Sequence, residues 1–374
     1  MKTFFTGLAL SSALSFNQGH AAIFQFFFQD NYVNPAALAK LQTSELIAGT
    51  RWMNPVLKFE GTSGGGKGSA KSNVHDLFPF WFAATRVNDR FALGINFSSP
   101  FYSHSVYSQN SVVRFDATET VFYDYDINPH FCVKLIDELS IGAGFVANSA
   151  YNITIAFQVP GLGELRNRYS AWSYGWDVGF CYKINAKDTL EGAYFSGLNP
   201  DYHGTSSLGL VSNHSKLKLH LPALAYLRYS RPVMNKWFLI AQVNFSQWSL
   251  LKKAVFSNVP VLNKIVLPLN YMNTWFGSLI NAFQIDRHWG ITNVLFVDGN
   301  GAKLKSKTVN FPTCTVYGAS LAGDYSFKKG AKVSAKYTSA FGNCPIDKPL
   351  GLSPTKGRVH IWFNVVELRF DYTL

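Results

Sequence analysis

The stretch Trp172-Ser173-Tyr174-Gly175-Trp176-Asp177-Val178-Gly179-Phe180-Cys181-Tyr182-Lys183-Ile184 alternates without a break. Successive side chains of a β-strand point to opposite faces. Trp172, Tyr174, Trp176, Val178, Phe180, Tyr182 and Ile184 therefore share an apolar, largely aromatic face. Ser173, Gly175, Asp177, Gly179, Cys181 and Lys183 share one that is small or polar.

The same period returns near the C-terminus. Tyr317, Ala319, Leu321, Tyr325 and Phe327 oppose Ser320, Asp324, Ser326 and Lys328, and Val333, Ala335 and Tyr337 oppose Lys332, Ser334, Lys336 and Thr338. A soluble sandwich also alternates, but its apolar faces point inward. The aromatic content, 32 Phe, 18 Tyr and 9 Trp, favours the other solution, because aromatic girdles mark bilayer interfaces. Charged residues make up only 15%, and mean hydropathy is close to zero, as expected when apolar and polar faces cancel.

Breaks between the alternating segments themselves alternate in length. Short turns fall at Asn88-Asp89-Arg90, Ile136-Asp137-Glu138, Asn185-Ala186-Lys187-Asp188, Asn235-Lys236 and Gly330. Between them lie longer breaks at 61–76, 102–118, 160–171, 258–269 and 343–356, and the Gly/Ser/Lys-rich stretch Thr62 to Ser72 reads as a flexible loop. Short turns on one side and long loops on the other describe a transmembrane antiparallel β-barrel, all-β, of about fourteen strands. The chain ends with Val366, Leu368, Phe370, Tyr372 and Leu374 on one face, which suits a closing strand.

The N-terminus reads as an export signal: Lys2, an apolar stretch from Phe4 to Phe16, then the small-x-small site Gly19-His20-Ala21. After it no run of ~18 apolar residues occurs, so no membrane-spanning helix is expected. The expected division is a signal peptide 1–21, an N-terminal segment 22–43 and a barrel 44–374. A formal net charge of +12 would suggest nucleic acid in a soluble protein, but export argues against that partner. Lipopolysaccharide phosphates outside, or an anionic ligand within, are the alternatives. Cys132, Cys181, Cys314 and Cys344 allow three pairings; Cys314 and Cys344 lie near the same end of neighbouring strands and are the best candidates. No Cys/His cluster suggests a metal site, and no Ser/His pair with an orienting Asn or Asp can be assembled for an outer-membrane enzyme.

Several stretches together resemble the FadL family of outer-membrane transporters. Asn34-Pro35-Ala36 stands before the first strand; Phe78-Pro79-Phe80 leads to Val87-Asn88-Asp89-Arg90-Phe91-Ala92-Leu93-Gly94 and then Ser98-Ser99-Pro100-Phe101. Asn128-Pro129 with Leu139-Ser140-Ile141-Gly142-Ala143-Gly144, and Leu221-Pro222-Ala223 with Trp237 to Gln247-Trp248-Ser249, follow in the family's order. The resemblance implies a 14-stranded barrel closed by an N-terminal hatch inside the lumen, here a short one. It implies a passive, monomeric transporter of hydrophobic compounds, long-chain fatty acids foremost. Release would be sideways through a gap made by a kinked third strand, with no cofactor. An aqueous porin or an adhesive surface barrel is the alternative.

Each candidate residue carries two readings. Asn34 can cap a short helix with Pro35 in its first turn, making the hatch residues Asn34, Pro35 and Ala36 a structural plug or a ligand contact. Pro100, with Ser99 and Phe101, either ends a strand or opens the wall, since proline removes a ladder bond. If Leu368, Phe370 and Tyr372 face lipid, Ile361, Phe363 and Val365 face the lumen and suit a greasy ligand, unless a bulge swaps the faces. Lys332, Lys336 and Arg369 share that inner face. They would meet a ligand carboxylate or pair with Asp324, Glu367 and Asp371.

Overall fold

The computed structural model describes residues 34–327, 330–348 and 353–374; the expected signal peptide, and 22–33 of the expected hatch, lie outside them. A 3-10 helix, Pro35–Lys40, comes first. The strands are β1 (Glu45–Ser63), β2 (Gly66–Asn73), β3 (Asp76–Arg86), β4 (Phe91–Ser98), β5 (Tyr102–Val106), β6 (Glu119–Lys134), β7 (Leu139–Val159), β8 (Gly163–Lys183), β9 (Thr189–Phe195) and β10 (Asp201–Leu208). They continue as β11 (Val211–Lys218), β12 (Leu224–Met234), β13 (Trp237–Ser246), β14 (Lys253–Val259), β15 (Asn263–Pro268), β16 (Thr274–Gln284), β17 (Trp289–Asp298), β18 (Val316–Ser326), β19 (Ala331–Lys348) and β20 (Thr355–Thr373).

These segments make fourteen strands of wall, because β2 with β3, β4 with β5, β9 with β10, β11 with β12, β13 with β14 and β15 with β16 each form one bent strand. Every ladder is antiparallel, and β1 pairs with β20 from Glu45↔Thr373 to Thr62↔Lys356, which closes the barrel. Closure leaves no exposed sheet edge in the bilayer, where unsatisfied backbone groups are costly.

Trp172, Tyr174, Trp176 and Val178 of β8 are exposed, while Ser173, Asp177 and Cys181 are buried inside. The apolar face thus looks out of the tube. The short turns are tied by side-chain acceptors suited to that role. Asn88 Oδ1 accepts the Arg90 and Phe91 N–H groups at 2.8 and 2.9 Å. Asp286 Oδ1 accepts those of Trp289 and His288 at 2.8 and 2.7 Å, which hold its carboxyl below the usual range.

The expected long loops are mostly wrong. Thr62 to Ser72 is a β-hairpin, with β1 and β2 in register from Val56↔Asn73 to Ser63↔Gly66. Likewise β8 begins at Gly163, leaving only 160–162 as a turn, and 258–269 is the β14–β15 hairpin. Above the bilayer neither face meets lipid, so the ladder continues without the apolar alternation that marks a spanning strand. Of the expected 102–118 break, 107–118 does connect β5 to β6 without strand, and a further long connection, 299–315, went unrecognised. Cys314 is bonded to Cys344, with Cα atoms 4.9 Å apart; Cys132 and Cys181 are free and buried.

Candidate functional site: the lumen and the break in its wall

The short-turn end of the lumen holds the 3-10 helix. Asn34 caps it, Oδ1 accepting the Ala36 N–H at 3.0 Å, while Nδ2 donates to the Phe180 carbonyl at 2.9 Å. Ser140 Oγ donates to the Ala36 carbonyl at 2.9 Å, and the Lys40 ammonium is salt-bridged to Glu191. Two glycines make this docking possible. A Cβ on Gly179 would sit 2.0 Å from Asn34 Oδ1, and one on Gly142 would sit 2.5 Å from the Pro35 carbonyl carbon. Asn34, Pro35 and Ala36 are all buried against the inner wall.

The inner face of the closing wall has two parts of different character. In its lower half, the rung Arg51↔Glu367↔Lys336 crosses β1, β20 and β19. Arg51 Nε donates to Glu367 Oε2 at 2.7 Å, and Lys336 Nζ donates to the same oxygen at 3.1 Å. Lys332 Nζ lies 3.0 Å from Asp371, which also takes Arg369. The three cations singled out in the sequence therefore each hold an internal carboxylate. Buried charges need such partners.

Above Val365 the character changes. The inner face of β20 carries Val359, Ile361, Phe363 and Val365, all buried, against Met53, Leu57 and Phe59 of β1. Trp362, Leu368 and Phe370 are exposed on the other face. No bulge interrupts the β1–β20 register. On the fourth strand of the wall, β6, a polar stripe runs down the inner face. Asn148 Nδ2 donates to Asp124 and Asp126 at 2.7 and 2.6 Å, and Asn128 donates to Asp177 at 2.8 Å.

Ser99, Pro100 and Phe101 break the third strand. Below the break β4 pairs with both β3 and β6; above it β5 pairs with β6. The β3–β4 ladder ends at Trp81↔Phe97, although β3 begins at Asp76. Residues from Ser98 to Ser103 are all buried, so the chain turns inward there. Phe101 joins an apolar cluster with Phe122, Ile153 and Tyr202, while Tyr102 joins the cluster of Phe363. The break lies between the two greasy regions of the lumen.

Sequence reasoning missed the polar stripe and a cluster of Asp76, Tyr102, His104 and Tyr123 at the break. The stripe was legible: Asp124, Asp126, Asn128 and His130 recur at every second position. The cluster was not, since its members meet only across strands.

Residues 7–344 match the family model described as outer membrane protein transport protein (OMPP1/FadL/TodX). The long-chain fatty acid transport protein of Salmonella typhi is 19% identical over 344 residues, covering 80% of this chain and 78% of that protein. The crystal structure of a Pseudomonas aeruginosa FadL homologue superimposes with a TM-score of 0.86 at 19% identity, covering 96% of this chain and 97% of the other. The Ralstonia pickettii toluene transporter TbuX gives 0.73 at 13% identity, with 96% of each chain covered. A closed barrel with an aromatic outer face belongs in the Gram-negative outer membrane. The chain is a member of the OMPP1/FadL/TodX family of outer-membrane transport proteins, which are channels for hydrophobic compounds and not enzymes.

Proposed function

We propose that this barrel carries long-chain fatty acids inward by passive binding in the apolar lumen and sideways release at the Ser99-Pro100-Phe101 break. The observation that carries the reading is the continuity of the greasy inner face of β20 and β1 with that break, through the edge contact of Phe363 and Tyr102 at 6.2 Å. An acyl chain gains roughly 0.8 kcal/mol per CH₂ withdrawn from water, so an apolar lining suffices to extract it. Ile361, Phe363 and Val365 line this path, and the helix at Asn34-Pro35-Ala36 acts as a plug beneath it.

The test is uptake of a radiolabelled fatty acid by cells lacking their own transporter. Phe363→Asp is expected to lower uptake at least ~10-fold, because an unpaired buried charge costs several kcal/mol. Unchanged uptake in a folded variant would remove Phe363 from the path. A second reading, small aromatic hydrocarbons, is favoured by the ring cluster of Phe78, Tyr102, Tyr123 and Tyr125 at the break. Toluene uptake in the same cells separates the two. Steady ion conductance in planar bilayers would instead favour an aqueous pore.

The basic charge also has a place. On the outer face the row His203↔Lys216↔Ser257↔Lys264 crosses four strands, with Arg168 and Lys218 close by and exposed. Along β8 these rungs stand just above Trp172 and Tyr174, the interfacial band. Lipopolysaccharide phosphates at the outer leaflet are the partner proposed for them. Lys216→Gln with Lys264→Gln is expected to reduce co-purifying lipopolysaccharide several-fold, at about 1 kcal/mol per basic residue. An undiminished amount would count against this surface.

A further inference from the structure

Where the β3–β4 ladder stops, one carboxylate spans the break. Asp76, at the start of β3, accepts the Tyr102 hydroxyl at 2.5 Å and the Tyr123 hydroxyl at 2.6 Å. His104 Nδ1 lies 2.8 Å from Asp76 Oδ2 and 2.7 Å from the Tyr123 hydroxyl. An ionised carboxylate only accepts, so the His104 proton bonded to it sits on Nδ1. The rings themselves form one assembly: Tyr102 stacks on Tyr123 at 5.9 Å, and His104 meets Tyr123 edge-on at 5.7 Å.

Three donors from two strands thus converge on a carboxylate supplied by a third. Tyr102 and His104 lie on β5, Tyr123 on β6, and Asp76 on β3. Tyr102 is fully buried and its ring meets Phe363 edge-on, so the donor set packs against the apolar inner face of β20. The cations of the lower lumen are already matched by Glu367 and Asp371. A fatty acid lying along Phe363 and Ile361 brings its own carboxylate to the same donors that Asp76 now holds. The exchange keeps the three donors satisfied, and the displaced Asp76, whose side chain keeps some exposure, takes its hydrogen bonds from water. Two anions cannot share the donors, because like charges at that separation repel.

We propose that Tyr102, Tyr123 and His104 form the binding site for the carboxylate of the transported acid, with Asp76 as its resident occupant. The proposal rests on the transport reading above and adds the head-group chemistry to it. Its consequence is mechanical. Asp76 ties the second strand of the wall to the third and fourth where the β3–β4 ladder has ended. An incoming acid that displaces Asp76 releases that tie and loosens the wall at the break. A neutral ligand has no carboxylate with which to displace it.

The test compares 9,10-dibromostearate with its methyl ester, both read by quenching of tryptophan fluorescence in the purified barrel in detergent micelles. Asp76→Asn replaces the competing anion by a weaker acceptor. It is expected to tighten dibromostearate binding ~10-fold, or about 1.4 kcal/mol, and to leave the ester within ~2-fold. Tyr102→Phe with Tyr123→Phe is expected to weaken the acid at least ~10-fold and spare the ester, since hydrogen bonds to charged groups are worth about 1.5–3 kcal/mol. Tyr123→Phe alone serves if the double variant does not fold. Parallel shifts of acid and ester, or no response of the acid to Asp76→Asn, overturn the site while leaving the transport reading intact. If neither probe binds the wild-type barrel, the transport reading falls and the site falls with it.

Discussion

Replacing Glu367 by Leu is expected to lower the stability of the barrel by roughly 3–5 kcal/mol, the cost of leaving buried charge without its partner. Arg51 and Lys336 share this carboxylate, and the three side chains are each buried on one rung of the closing wall. Arg51 also lies over the Phe80 ring, 4.8 Å from its centroid, so it has little room to reach water. The measurement is the urea midpoint of barrel folded in detergent micelles, or the temperature at which its compact form is lost on a gel. Adding Lys336→Met to Glu367→Leu removes one of the two cations that Glu367 neutralised and is expected to restore part of the loss, as coupled neighbours do in a double-mutant cycle. A loss below about 1 kcal/mol, typical of an exposed pair, would show that water reaches this rung.

The second large effect concerns the helix proposed as a plug. Gly179→Val with Gly142→Val fills the space that Asn34 and Pro35 occupy. Lost hydrogen bonds and forced overlap together amount to roughly 3 kcal/mol against docking, or about a hundredfold shift in occupancy. The expected readout is a rise in ion conductance across planar bilayers, with the barrel still folded. Gly323→Ala is the control, since a Cβ there meets nothing within 4 Å. If the valine variants conduct no more than wild type, the helix at 35–40 does not close the lumen.

Legibility followed one physical rule. Where one face met lipid, the period of two was plain. The outward set from Trp172 to Val178 and that of Leu368 and Phe370 could be read directly, and the turn residues Asn88, Asn185 and Asp188 marked the ends between them. Where neither face met lipid, the signal vanished. Lys67 and Lys71 look outward and Ala70 and Ser72 inward, yet the Gly/Ser/Lys composition of that hairpin hides the alternation behind residues that are polar or small on both sides. The candidate cations were found by parity along single strands, and parity places a side chain inside without naming what it meets there.

By itself, then, the sequence determined the strand period, the side that faces lipid and the order of motifs that the family shares, because these depend on neighbours one or two residues apart. Only the closed barrel decided which charges neutralise each other, where the ladder fails and what spans the failure. Arg51 finds Glu367 across 316 positions, and Asp76 finds Tyr123 across 47. Such meetings are set by the register of separate strands around the tube, and shifting one strand by a single residue would turn each of its side chains to the other face.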